Sequence, residues 1–335
     1  MTTNLIIATY SGRYYKFDSV NNKFNDREHY LKHTLALLNK IKTNINQITI
    51  MKPKVNQEHS EIKDYYNFDN IDLSNIKDKI KIIECENIGI SYGQLFNGIK
   101  DNIDFDYHIF IEDDYIPFKD YFEEDLIKEA IDKSNNGFIC SFIHKDLDFN
   151  IINSMQTETI DIQKKVILNL IKYNVENKSY KIPDFSLGIL SKYSVNKILE
   201  KFINFNNIIE FFNIQFKSIN FHQILFGYVL NIANVPIYDL ADKYLNIFYS
   251  SCNNRIYICN FNSYHLIVNW MNLTDYNKKF KCPLFIPVDI FTMESYNNDI
   301  NEMQLYLNDN TEFIEKINIF NKEKLELMNK FTNQL

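Results

Sequence analysis

Short apolar runs of strand length recur along the first 144 residues, and they alternate with segments that have helical spacing. The runs predict buried strands at residues 4–10, 45–53, 79–87, 106–114 and 137–144. The intervening segments predict helices at residues 26–41, 88–102 and 119–134. This alternation is typical of an open α/β sheet, in which ligands bind outside the carboxyl ends of the strands.

The rest of the chain is long enough to complete this unit and to add another. With 335 residues, 45% of them hydrophobic, the chain can form two domains or one large domain with an appendage. Residues 182–203 contain a proline-opened, glycine-containing segment before a helix, and residues 220–240 predict a buried helix followed by a strand. The tail from residue 301 has a helical pattern, which predicts docking on the main domain; a dimer contact or a membrane-surface helix are the alternatives.

Charge and cysteine content exclude several classes of protein. The net charge of -7 is mild and the only arginines are Arg13, Arg27 and Arg255, so a nucleic-acid partner is not expected. Five cysteines without a CxxC pair predict reduced thiols in a cytoplasmic protein. The N-terminus predicts a first strand and not a signal peptide, and membrane association is not indicated.

Three polar stretches follow predicted strands and should meet at one edge of the sheet. They are "TYSGR" after the first strand, "NIGISYGQLFNG" after the third and "EDD" after the fourth. Three such signals at one edge are harder to explain by accident than any single one.

The acidic triplet Glu112-Asp113-Asp114 is the strongest of these signals. Burying adjacent carboxylates is costly unless they are paired or bind a metal. Hard cations such as Mg²⁺ are often held by one or two carboxylates together with substrate phosphates. Strand alternation puts Glu112 and Asp114 on one face and Asp113 on the other. A solvated turn with a helix-capping acid is the alternative interpretation.

In this order the stretches resemble a GT-A-type glycosyltransferase, closest to the family 2 nucleotide-sugar enzymes. "TYSGR" is similar to the turn after their first strand, Asn87-Ile88-Gly89 and Asn97-Gly98-Ile99 match their glycine loop and helix, and "EDD" resembles their DxD metal motif. The resemblance implies a GT-A (Rossmann-like) open mixed sheet flanked by helices, with a C-terminal helical appendage. The implied catalytic domain spans 1–250, with a donor half at 1–118 and an acceptor half at 119–250, and residues 251–335 form an extension that packs on or beside it.

The resemblance also implies roles for individual residues. Asp114 would bind Mn²⁺ or Mg²⁺, Glu112 would face the ribose or the metal shell, and Asp113 would support the loop. The nucleotide pocket would be lined by Thr9, Tyr10, Arg13, Asn87, Gly89, Ser91 and Asn97.

The general base is where the sequence departs from the family pattern. Inverting members carry a Glu-Asp pair at the start of a later helix, and aligned on Gly227 that pair falls on His222-Gln223. His222, Glu210 and Asp184 are the candidate bases. His265 is a second histidine that has the chemistry of a metal ligand.

The resemblance therefore implies a metal-dependent hexosyltransferase that uses a nucleotide-diphosphate sugar, with a UDP-sugar and inversion favoured. The acceptor would be a hydroxyl group on a glycan or a protein. The resemblance is also compatible with a homodimer. A catalytically inactive nucleotide-sugar-binding relative and a sugar-nucleotide pyrophosphorylase are the alternatives.

Overall fold

A computed structural model describes ten stretches of the chain, which together contain the predicted sheet. They are residues 1–13, 30–113, 115–117, 120–147, 159–175, 180–214, 220–239, 247–250, 255–258 and 266–268. Asp26, Arg27, His265 and the predicted C-terminal helix lie outside these residues.

The described strands include one in each of the five predicted apolar runs. They are β1 (Thr3–Ala8), β2 (Gly12–Arg13), β3 (Gln47–Pro53), β4 (Ser60–Glu61), β5 (Ile80–Cys85), β6 (Tyr107–Glu112), β7 (Tyr115–Pro117), β8 (Phe138–Leu147), β9 (Tyr180–Ser191), β10 (Ile237–Asp239), β11 (Ile247–Ser250), β12 (Arg255–Ile258) and β13 (Leu266–Val268). The α-helices are α1 (Tyr30–Lys40), α2 (Ile90–Lys100), α3 (Phe122–Asp132), α4 (Ile160–Lys172), α5 (Lys192–Phe202), α6 (Phe205–Phe211) and α7 (Asn220–Ile232).

Seven of these strands form one sheet in the order β10-β8-β9-β6-β1-β3-β5. Strand β9 is antiparallel to both of its neighbours, and the other pairs in the sheet are parallel. Two-stranded pairs are formed by β2 with β4, by β7 with β13 and by β11 with β12. The open mixed α/β sheet that the resemblance implies is therefore confirmed.

Each face of the sheet is covered by its own core. On one face, Ile6 and Phe110 pack with residues of α2 and α7, such as Phe96 and Phe226. On the other face, residues of β1, β3 and β6 pack with α1, α3 and the irregular segment 62–76. The sheet is thus a buried, rigid layer, and its strand ends hold the loops that follow them in place.

Within the described residues, no helix is long and apolar enough to cross a bilayer.

Candidate functional site

The carboxyl ends of β5, β3, β1 and β6 lie side by side, because these four strands are parallel neighbours. The loops that leave them are residues 9–11, 54–59, 86–89 and the turn at Asp113. The three polar stretches predicted to meet do so at this edge.

The loop after β1 is fixed by a glutamine from α2. The main-chain N–H of Thr9 donates to Gln94 Oε1 at 2.9 Å, and Gln94 Nε2 donates to the Thr9 carbonyl at 2.9 Å. The Thr9 hydroxyl donates to the Met51 carbonyl at 2.5 Å, and the side chain is buried. Thr9 therefore fixes the loop after β1 to β3 and α2, and its hydroxyl donates within the protein.

Tyr10 joins the loop after β1 to the loop after β3. Its hydroxyl lies 2.5 Å from His59 Nδ1 and accepts the main-chain N–H of Asn56 at 3.3 Å. A Cβ at Gly12 would lie 2.5 Å from the Tyr10 ring, so a larger residue at this position would displace the tyrosine. The main chain of Arg13 pairs with Ser60 in the short β2–β4 ribbon.

The loop after β5 completes this set of contacts. Asn87 Nδ2 donates to Asn56 Oδ1 at 3.0 Å, which links the third loop to the second. Gly89 precedes the first turn of α2 with φ +71°, and a Cβ there would lie 2.5 Å from Phe212 Cβ. Glycine is required because other residues are strained in this conformation and because Phe212 fills the space.

Two further predicted residues lie on α2 itself. Ser91 is buried in its first turn. Asn97 is half-buried two turns further on, and its Nδ2 donates to the Gly93 carbonyl at 2.9 Å. Both residues thus lie in the helix whose N-terminus faces the edge, where an anion is favoured.

The two described acids of the triplet, Glu112 and Asp113, are on opposite faces of the sheet. Glu112 is the last residue of β6, is half-buried and pairs with Ala8. Asp113 is 0% exposed, and its main-chain N–H donates to the Ala8 carbonyl at 2.9 Å. The Thr34 hydroxyl donates to the Asp113 carbonyl at 3.0 Å, and the Tyr65 hydroxyl donates to Asp113 Oδ2. This enclosed position fits the supporting role that the resemblance implies.

Asp114 lies outside the described residues. Among the residues that are described, no three side chains of His, Cys, Asp or Glu converge as a metal-binding group. The donor chemistry at the end of β6 still fits a hard divalent cation, since two carboxylates, Glu112 and Asp114, together with a diphosphate are an ordinary ligand set for one. Burial raises the pKa of the Cys85 thiol, at the end of β5, to about 12, so this thiol keeps its proton at neutral pH and is a poor nucleophile.

The candidate bases come from the second half of the chain. His222 is buried in α7, and its Nε2 donates to the Ile214 carbonyl at 3.0 Å. Glu210 is exposed near the end of α6 and accepts from Asn213 Nδ2 at 3.3 Å. The main chain of Asp184 lies in β9, opposite Phe142 of β8.

The segment between α6 and α7 reaches the site through Phe212. Its ring stacks on Tyr92 of α2, with centroids 6.4 Å apart and planes 13° from parallel. The contact with Gly89 and this stacking bring the Glu210–Ile214 segment next to the start of α2. Glu210 and His222 thus belong to the neighbourhood of the edge, although His222 is held by a backbone carbonyl.

Sequence reasoning missed the residues that hold the loops together. Gln94, Asn56, His59, Tyr65 and Tyr66 make these contacts, and each reaches a residue more than 40 positions away in the chain. One signal was present for Gln94, because a polar side chain on the buried face of a helix needs a partner.

No protein-family model and no curated protein matches the chain. Similar solved structures include HddC from Yersinia pseudotuberculosis complexed with GMP-PN, at 14% identity over 90% of this chain and 99% of that one, with a TM-score of 0.35. The bifunctional glycosyltransferase WbbM matches at 12% identity over 72% of this chain and 39% of that one, with a TM-score of 0.35. The galactosyltransferase LgtC, in complex with donor and acceptor sugar analogs, matches at 10% identity over 71% and 73% of the two chains, also with a TM-score of 0.35. Similarity at these identities and TM-scores does not assign a role to any residue or a reaction to this chain.

Proposed function

We propose that the protein is a metal-dependent glycosyltransferase that moves a sugar from a nucleotide-diphosphate sugar to a hydroxyl group on a glycan or a protein. One observation carries the proposal: an acid-ended strand lies beside three mutually bonded loops at the carboxyl edge of the sheet. This edge is where open α/β sheets bind their ligands.

Hydrogen bonds join the three loops that we propose to bind the nucleotide. Tyr10, His59, Asn56 and Asn87 form one chain of hydrogen bonds, so the three loops keep their relative positions before a ligand arrives. Preorganised polar groups of this kind bind a charged ligand without the cost of ordering them first. The N-terminus of α2, which follows Gly89, favours a diphosphate at the same edge.

Glu112 and Asp114 are the residues that would hold Mn²⁺ or Mg²⁺. When bound, such a cation neutralises the charge of a leaving diphosphate. The acceptor hydroxyl attacks the anomeric carbon, the bond from that carbon to the diphosphate oxygen breaks, and the hydroxyl proton passes to a base. His222, Glu210 and Asp184 are the candidates for that base; since His222 Nε2 donates its proton to the Ile214 carbonyl, Nδ1 is the ring nitrogen of His222 that can accept one. A UDP-sugar donor and inversion of configuration are the favoured details.

The test is a panel of UDP- and GDP-sugars incubated with the protein and Mn²⁺, with release of nucleoside diphosphate as the readout. At least one donor should be consumed, and consumption should stop with EDTA and fall at least about 100-fold in Asp114→Ala. If no donor is consumed and no nucleotide binds, the proposal is wrong. Full activity in Asp114→Ala would refute the metal assignment alone.

The residues in the place of the family's Glu-Asp pair favour a second candidate, an inactive nucleotide-sugar-binding relative. Gln223, which takes the place of the aspartate, cannot act as a base, and its Nε2 donates to the Pro183 carbonyl at 2.9 Å. Under this alternative, a nucleotide would bind but neither hydrolysis nor transfer would occur. Consumption of a nucleoside triphosphate together with a sugar phosphate would instead identify a pyrophosphorylase.

A further inference from the structure

The acidic end of β6 is held from inside the protein by a tyrosine of a distant segment. Tyr65 is 1% exposed and belongs to the irregular segment 62–76, which covers the α1 face of the sheet. Its hydroxyl donates to Asp113 Oδ2, on the face opposite that of Glu112. The Tyr65 side chain therefore contacts the end of β6 from the buried face of the sheet that α1 covers.

The next residue makes the equivalent contact with β1. Thr9 has one hydroxyl proton, which it donates to the Met51 carbonyl, so in the 2.7 Å contact with Tyr66 the tyrosine is the donor. Burial raises the pKa of the Tyr66 hydroxyl above its usual range, and the hydroxyl keeps its proton at neutral pH. The two tyrosine rings meet edge to face with centroids 4.9 Å apart.

Tyr65 and Tyr66 thus hold the ends of two adjacent strands, β6 and β1. Asp113 connects the Tyr65 contact to Glu112, its neighbour in the chain. Its main chain is fastened to Ala8 and Thr34, and its carboxylate accepts the Tyr65 hydroxyl. A buried carboxyl group that loses a hydrogen-bond donor loses part of what fixes its orientation, so removal of the Tyr65 hydroxyl should let Asp113 turn or shift.

We propose that Tyr65 is a positioning residue for the acidic end of β6: by bonding to Asp113 it fixes the end of the strand and thereby the direction in which Glu112 presents its carboxylate to a cation and a nucleotide diphosphate. This inference rests on the proposed function. It concerns a buried side chain of the irregular segment 62–76.

The test compares Tyr65→Phe with Tyr107→Phe. Tyr107 is a matched control because it is also buried and donates its hydroxyl to a side chain, Asn135 Oδ1 at 2.7 Å, but at the amino edge of the sheet. The measurement is UDP affinity as a function of Mn²⁺ concentration, by calorimetry at a temperature at which all the proteins are folded. In Tyr65→Phe, the Mn²⁺ concentration for half-saturation should rise about 10- to 100-fold, as for outer-shell changes at metal sites. In Tyr107→Phe it should stay within about twofold.

Two further measurements separate positioning from loss of stability. In EDTA, the residual UDP affinity of Tyr65→Phe should equal that of the wild type, because the nucleotide loops keep their own contacts. The effects of Tyr65→Phe and Asp113→Asn should be less than additive in the double variant, since one acts through the other. If Tyr65→Phe does not fold, Asp113→Asn replaces it in the Mn²⁺ titration against Tyr107→Phe, and an unchanged Mn²⁺ requirement in Asp113→Asn would overturn the inference.

The outcomes distinguish a failure of the proposed function from a failure of the proposed role of Tyr65. A wild-type protein that binds no nucleoside diphosphate refutes the proposed function, and the role of Tyr65 falls with it. A wild type that binds UDP with Mn²⁺, while Tyr65→Phe binds equally well or loses no more than Tyr107→Phe, refutes the role of Tyr65 and leaves the proposed function intact.

Discussion

At the amino edge of the sheet, polar side chains bond mainly to one another inside the protein, whereas at the carboxyl edge they bond to loops that face outward. The amino-edge set is Asn4, Gln47, Thr49 and Asn102. Thr49 donates to Asn4 Oδ1 at 2.7 Å, and Gln47 Nε2 donates to Thr49 at 2.8 Å and to Asn102 at 2.7 Å. His108 is fully buried beside Asn4, and neither of its ring nitrogens has a hydrogen-bond partner in the described part of the chain.

The carboxyl edge differs in what its polar side chains hold. Gln94 fastens the main chain of Thr9, Tyr10 joins two loops, and Asn87 reaches a third. A buried network that closes on itself contributes to stability and to the choice of one core arrangement. A network that fixes loops at the ligand-binding edge of an α/β sheet prepares a site. Buried polar groups therefore do not by themselves indicate a functional site. What indicates one is that their hydrogen bonds hold loops at the carboxyl edge.

The largest difference between the two edges should appear when single carboxylates are neutralised. Glu112→Gln should lower the rate of sugar transfer at least about 100-fold with little change in stability, because it removes a carboxylate from the proposed cation site. Asp104→Asn is the control, since this exposed acid lies before β6 at the amino edge and contacts Lys192 at 3.4 Å. Its transfer rate should stay within about twofold of the wild type. Equal rates in the two variants would remove the functional distinction between the edges.

A pair of glutamines gives the next sharpest comparison. Gln94→Leu should lower the free energy of unfolding by about 2–4 kcal/mol, because it leaves the buried N–H and C=O of Thr9 without this partner. Gln47→Leu should lower it by about 1–3 kcal/mol through Thr49 and Asn102. Urea unfolding measures both values. Only Gln94→Leu should also weaken UDP binding, and a similar loss of affinity in Gln47→Leu would contradict the division of roles.

The smallest expected effect concerns stability at the amino edge as a function of pH. Burial is the main cause that lowers the pKa of His108 from 6.5 to about 4, and the charge of Lys192 adds to it. Between these two pH values the unfolded chain binds a proton that the folded chain does not. Stability is therefore fully present above pH 6.5 and falls by up to about 3 kcal/mol as the pH drops toward 4.

The His108→Leu variant isolates this contribution. Urea unfolding at pH 7 and at pH 4.5 should show a smaller loss in the variant than in the wild type, by about 1–3 kcal/mol. UDP affinity at pH 7 should be the same in the two proteins, since His108 lies far from the carboxyl edge. An identical loss of stability in both would show that His108 does not carry the pH dependence.

The central strands were predictable because their apolar runs are continuous and end at turn residues. Strand β9 was not recognised, since Pro183 and Gly188 are typical of a connecting segment. Gly188 is required for a tertiary reason, because a Cβ there would lie 2.2 Å from the Phe138 ring of the neighbouring strand. Local patterns carry no record of such a contact between residues 50 positions apart.

The site was predictable in outline and not in its construction. Residues at strand ends, such as Gly89 and Glu112, were found because the topology places all parallel strand ends at one edge. Tyr65 and Gln94 were missed, because a hydrogen bond between elements distant in sequence leaves no periodicity. The part of segment 62–76 in covering the sheet became visible only in three dimensions.

Calorimetric titration of UDP and GDP into the protein, with Mn²⁺ and with EDTA, tests the central claim most directly. We predict saturable binding of at least one of these nucleotides in the presence of Mn²⁺. The affinity should fall at least about tenfold with EDTA and in Glu112→Gln, and it should be unchanged in Asp104→Asn. Absence of binding under every condition, or binding that is indifferent to both the metal and Glu112, would contradict it.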